Sequence, residues 1–91
     1  MNFRVNINQT FKSGNLKAFA TLIIEDKIYI TGFKVIEKDG KLYAFYGRKK
    51  DKQGKNKDIY FITDKDLRQK IYKTILVEYQ IYKNFYEINR Y

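Results

Sequence analysis

The chain has 91 residues, 44% of them apolar, with nine Tyr and seven Phe, and 19 basic against 10 acidic side chains give it a net charge of +9. That length makes a single domain over residues 1–91, and folding at this size removes only ~60–65% of the unfolded surface from water. The apolar content excludes disorder, and the absence of Cys and His excludes a disulfide framework, thiolate chemistry, the usual zinc, iron and copper ligands, and the commonest general base near neutral pH.

Residues 3–9 alternate, with Phe3, Val5 and Ile7 against Arg4, Asn6 and Asn8, which predicts a strand and not a signal peptide. A turn follows over residues 11–15, with Gly14 able to take positive φ. Residues 16–25 form the second strand. Ala18, Ala20, Leu22 and Ile24 share one face and Phe19, Thr21 and Ile23 the other. Both faces are apolar, so this strand is central. Its apolar stretch, residues 18–24, is the longest in the chain and far short of the ~20 residues a membrane span needs. The expectation is a soluble, cytoplasmic protein with no membrane attachment.

Asp26-Lys27 predicts a tight turn, and residues 28–38 a third strand rich in β-branched and aromatic side chains. Gly32 interrupts it, and a bulge or bend there explains why the apolar phase shifts from Ile28 and Ile30 to Phe33 and Val35. Asp39-Gly40 is a type I′ hairpin signal. Residues 41–46 form the fourth strand, with Leu42, Ala44 and Tyr46 on one side and Tyr43 and Phe45 on the other. Tyr43, Phe45 and Tyr46 could stack on bases, but a strand beside a central hairpin must bury one face, which favours packing for them.

Residues 47–58 are the one long interruption between apolar segments. Between Arg48 and Lys57 stand six basic residues and one acid, a net +5, more than half of the chain's excess. No core accepts this, so it is read as a flexible basic loop. Lysine outnumbers arginine fifteen to four, a bias that an AT-rich genome produces without selection for binding. The clustering is therefore more informative than the total. Each cation that neutralises a phosphate releases counterions, and the resulting affinity falls with salt. Lysines suit backbone contact, while Arg48 is the one loop residue suited to reading a guanine edge. A solvated hairpin loop whose lysines serve solubility is the competing reading.

Residues 59–62 predict a short fifth strand. Thr63-Asp64-Lys65-Asp66 resembles a capping box, with Thr63 as N-cap and Asp66 reaching back to it, and Asp64 and Asp66 complement the helix dipole. The stripe Leu67, Ile71, Ile75, Tyr79, Tyr82, Phe85 predicts an amphipathic helix of about five turns on one sheet face, with a break at Asn84. Arg68 and Lys65 extend the positive patch of the loop, whereas Lys70 and Lys73 read as a solvated face. The aromatic residues from Tyr79 onward finish the core, form a dimer interface, or make a membrane-surface helix. The predicted architecture is α+β: an antiparallel β-meander of about five strands, then a helix packed on one face.

Enzyme readings find little support. Asp58 with Asp64 or Asp66 makes a poor cation site beside so many lysines, no serine lies near a plausible base, and Gly54 is a lone loop glycine. No catalytic residue, metal, cofactor or small-molecule substrate is expected.

The chain resembles the SpoVG (stage V sporulation protein G, septation protein) family. The resemblance runs from about Val5 to Tyr79 and rests on Gly14-Asn15-Leu16-Lys17-Ala18-Phe19-Ala20, Val35-Ile36, Leu42-Tyr43, Lys49-Lys50, Gly54, Lys57-Asp58-Ile59, Arg68, Lys70-Ile71 and Leu76-Val77-Glu78-Tyr79. No piece is specific alone; the order and spacing are. The resemblance implies a bacterial homodimer of small α+β subunits that binds DNA, and in some members RNA, as a regulator associated with septation and sporulation. The two prolines usual in the family's loop are Gly47 and Lys52 here, a usual His-Pro is Phe61-Ile62, and the tail is aromatic where the family's is acidic or polar.

These readings together predict a non-catalytic nucleic-acid-binding homodimer whose phosphate contacts are Lys49, Lys50 and Lys57, supported by Arg48, Lys52 and Lys55 and extended by Arg68. Two rivals stand beside it. One is a protein-interaction module of the division or sporulation machinery whose loop docks an acidic partner. The other, weaker, is peripheral binding to an anionic membrane.

Overall fold

The computed structural model describes residues 2–46, 48–50, 52–54, 56–58 and 62–88, with backbone alone at 48–50, 56–58 and 86–88. Four strands, β1 (Phe3–Thr10), β2 (Leu16–Ile24), β3 (Ile28–Lys38) and β4 (Lys41–Tyr46), form an antiparallel meander in spatial order β1-β2-β3-β4. A helix, α1 (Lys65–Ile88), packs on one face. The α+β layout is as expected, and β2 is an inner strand paired on both sides.

The connections follow from local chemistry. At the β3–β4 hairpin Asp39 and Gly40 take φ of 54° and 77°, and Lys38 pairs with Lys41, as a type I′ turn requires. The β2–β3 turn starts one residue before the expected Asp26-Lys27. Glu25 and Asp26 both have φ of 54°, and the Lys27 N–H donates to the Ile24 carbonyl at 3.0 Å. Positive φ is unfavourable for these residues, and the start of the chain holds them there. The Asn2 N–H donates to Glu25 Oε1 at 3.0 Å, the Glu25 N–H to the Asn2 carbonyl at 2.9 Å, and Arg4 Nε to Asp26 Oδ1 at 3.0 Å.

Gly32 is the bulge that the phase shift predicted. Its φ is 97°, and Ala20 pairs with Phe33 while Leu22 pairs with Ile30, so Thr31 and Gly32 together oppose Thr21. The extra residue returns Phe33 to the face that Ile30 occupies, and both pack in the same core. A second irregularity lies in β1 between Ile7 and Gln9. The intervening Asn8 accepts a 2.7 Å hydrogen bond from the buried Thr21 hydroxyl, which satisfies the one buried polar side chain among the described residues.

The core is a single layer between sheet and helix. Val5, Ala18, Ala20, Leu22, Phe33 and Val35 from the sheet meet Ile71, Ile75 and Tyr79 from α1, all nearly or fully inaccessible to water. Leu42, Ala44 and Tyr46 pack at its edge, and the Tyr46 ring lies 4.9 Å from that of Phe33. Tyr46 is therefore committed to the core, as expected of the fourth strand, whereas Tyr43 is 49% exposed.

Two expectations are corrected. The helix cap is Asp64, not Thr63: Asp64 Oδ1 accepts the Leu67 N–H at 3.0 Å, and the Arg68 N–H donates to the Asp64 carbonyl at 2.9 Å. Leu67 then stands at the third helical position, so Asp66 forms no capping box and only complements the dipole of the first turn. Next, α1 runs through Asn84 unbroken for 24 residues, because an asparagine inside a helix costs only a few tenths of a kcal/mol, at most ~0.7 kcal/mol. Its stripe leaves the sheet beyond Tyr79, so Tyr82 and Phe85 are 36% and 66% exposed and do not finish the core. The main sheet has four strands among the described residues. Of the predicted fifth, Ile59, Tyr60 and Phe61 lie outside the described residues, and Ile62 packs against the core without belonging to a strand.

The cap assignment is tested by chemical denaturation: Asp64→Ala is expected to lower stability by about 0.5–2 kcal/mol, and Thr63→Ala, at an exposed position, by less than ~0.5 kcal/mol.

Candidate nucleic-acid interface

Where a flexible basic hairpin loop was expected, the chain makes a two-stranded ribbon. Beyond Tyr46, β5 (Arg48–Lys50) pairs antiparallel with β6 (Asn56–Asp58), and among the described residues neither pairs with a strand of the main sheet. Lys52, Gln53 and Gly54 form the exposed connection, in which Gly54 takes φ of 80°, a conformation that favours glycine. Nothing lies within 4 Å of where a Cβ on Gly54 would stand, so the backbone angle alone calls for glycine.

The register sets Arg48 opposite Asp58, Lys49 opposite Lys57, and Lys50 opposite Asn56. Opposite charges across a ladder stabilise it, and like charges directly opposed destabilise it. The register thus sets one pair of opposite charge and one pair of like charge across the ladder. A two-stranded hairpin is marginal in water at best, and this one has no apolar residue in either strand.

Five of the seven predicted contact residues, Arg48, Lys49, Lys50, Lys52 and Lys57, thus belong to one ribbon and its turn. Lys55 lies outside the described residues. Arg68 stands apart, in the first turns of α1. It is half-buried, and its Nη1 donates to the Ile62 carbonyl at 2.7 Å, tying the helix to the segment that returns from the ribbon. Lys65, Lys70 and Lys73 are exposed, in keeping with a solvated face for the latter two. Asp64, weighed above as a metal ligand, uses its carboxylate to cap α1. No helix among the described residues is long and apolar enough to cross a membrane.

Sequence reasoning located the basic residues but missed the Lys49–Lys57 opposition. The only signal was the equal spacing of Lys49 and Lys57 about a turn containing Gly54, which becomes informative once pairing is known.

A family model described as SpoVG matches residues 1–81. Among curated proteins, the chain is 32% identical over 80 residues to a septation protein SpoVG of Clostridium novyi (strain NT), covering 88% of this chain and 80% of that protein. It is 32% identical over 80 residues to one of Clostridium perfringens (strain SM101 / Type A), covering 88% and 89%. With one of Symbiobacterium thermophilum it shares 29% over 75 residues, covering 82% of this chain but only 54% of that protein, so it spans about half of that relative.

Arg68 as a structural tie is checked by urea denaturation. Arg68→Ala is expected to cost about 1.5–3 kcal/mol, the range for a hydrogen bond from a charged donor, while Lys65→Ala on the exposed surface stays within ~0.5 kcal/mol.

Proposed function

The chain belongs to the SpoVG family, and on that premise we propose that it is a non-catalytic, cytoplasmic nucleic-acid-binding regulator that grips phosphates through the β5–β6 ribbon. The observation that carries this reading is the ladder register, in which Lys49 opposes Lys57 in a ribbon that pairs with no other strand among the described residues. A polyanion offsets that repulsion and stabilises the ribbon as it binds. Lysine-rich contacts of this kind act on the backbone of DNA or RNA and confer little sequence preference by themselves.

The active form in this proposal is a homodimer. Ile28, Tyr29, Ile81 and Phe85 are each more than half exposed, and a symmetric second copy is the commonest way a small subunit covers such side chains. A two-fold axis would bring two ribbons to one duplex. Arg68 has a secondary part, since it is already engaged by the Ile62 carbonyl. The relatives' name, septation protein, favours a second reading in which the same ribbon docks an acidic protein of the division machinery.

Fluorescence anisotropy with duplex DNA, single-stranded DNA and RNA at several salt concentrations separates the two. Binding by the purified protein is expected, with the log–log salt slope on duplex DNA shallower by roughly 2.7 per subunit engaged in Lys49→Ala/Lys50→Ala/Lys57→Ala. Absence of binding to all three near physiological salt would falsify the nucleic-acid reading in favour of the acidic protein partner.

A further inference from the structure

Away from the ribbon, the turn between β1 and β2 faces the later turns of α1 across a cavity of about 180 Å³. Phe11, Tyr79 and Tyr82 supply its aromatic wall, and Lys12, Lys17 and Lys83 its charge. It differs in kind from the other concave sites. Those include Arg4 with Glu25 and Asp26, Lys38 and Lys73 with Asp39, and Glu78 alone, whereas no carboxylate among the described residues lines this one. Among the described residues none of its three ammonium groups is held in an ion pair.

The aromatic wall is built before any ligand arrives. The Phe11 N–H donates to the Lys17 carbonyl at 2.9 Å, closing the turn, and the Phe11 ring stands edge-on to Phe19 at 5.6 Å between centroids. Tyr79 is buried and fixed in the core, while Tyr82 is 36% exposed and able to meet a ligand. The cavity is below the ~300–1,000 Å³ of sites for drug-sized ligands, so it suits one planar ring. Aromatic faces stack on bases with little preference among them, and lysines serve as point charges for phosphate.

We propose that this cavity binds one nucleotide unit, its base against Phe11 and Tyr82 and its phosphate among Lys12, Lys17 and Lys83. The chemistry is shared by a free nucleotide and by a nucleotide within a single strand. The site is a binding site, with no reaction attached, and it does not depend on the ribbon.

The test is a titration of the full chain followed by amide chemical shifts, with four probes: adenosine 5′-monophosphate, an eight-residue oligodeoxyadenylate, adenosine, and inorganic phosphate. Shifts are expected at residues 11–17 and 79–83, with the monophosphate binding more tightly than adenosine or phosphate. Response to both the monophosphate and the oligonucleotide identifies a free-nucleotide site. Response to the oligonucleotide alone identifies a residue of a strand. Lys12→Ala/Lys83→Ala, two exposed positions whose change leaves the core intact, is expected to weaken binding about fivefold or more. Phe11→Leu is expected to weaken it about 5- to 100-fold. Repeating the titration on Lys49→Ala/Lys50→Ala/Lys57→Ala keeps the two sites distinct, since cavity shifts persist there whatever happens at the ribbon. The proposal is overturned if phosphate or adenosine binds as well as the tighter of the monophosphate and the oligonucleotide, if Lys12→Ala/Lys83→Ala binds like the wild type, or if residues 11–17 and 79–83 do not respond.

Discussion

Three side chains of one helix, Ile71, Ile75 and Tyr79, close the core over a four-stranded sheet. Most of the fold depends on that contact. Ala18 and Ala20 on the inner strand are fully buried, and their small size leaves room for the helix above them. The Gly32 bulge keeps Ile30 and Phe33 on the face that the helix covers. Asp64 fixes where the helix starts, and so where its stripe falls on the sheet. A single-layer core of this kind covers one sheet face only, which leaves apolar residues such as Tyr29 and Tyr43 in contact with water.

Electrostatics organises what lies outside the core. Excess positive charge is kept off the sheet–helix layer and gathered on a ribbon that leaves the sheet after Tyr46 and returns through Ile62. The two ends of the ribbon differ in character. Arg48 opposes Asp58 close to the sheet, while Lys49 opposes Lys57 further out. Charge effects of this kind are sensitive to salt over about one Debye length, ~10 Å at 0.1 M. Arg68 ties the helix to the segment that returns from the ribbon through the Ile62 carbonyl.

Much of this was legible in the residues. The third and fourth strands fall at residues 28–38 and 41–46 as read, because Asp39-Gly40 and the alternation around it act locally. The bulge was legible as a phase shift, and the helix as a stripe. The misses have a common cause. Thr63 and Asp64 are both good caps one residue apart, and only the geometry of the Leu67 N–H distinguishes them. The ribbon contains no apolar alternation, so periodicity is blind to it; its pairing is a property of two segments taken together. The same holds for the cavity beside Phe11, whose wall joins residues 11–17 to residues 79–83. The basic residues of the candidate site were visible as composition, and their opposition across a ladder was not.

The most direct test of the ribbon as a polyanion-binding element is amide hydrogen exchange along β5 and β6, with and without a saturating duplex or single strand. If phosphates offset the Lys49–Lys57 repulsion, exchange of the ribbon amides slows on binding while the amides of β2 and β3 stay as they are. Unchanged exchange in the ribbon of a protein that is demonstrably bound would contradict this, and would move the contact surface elsewhere on the molecule.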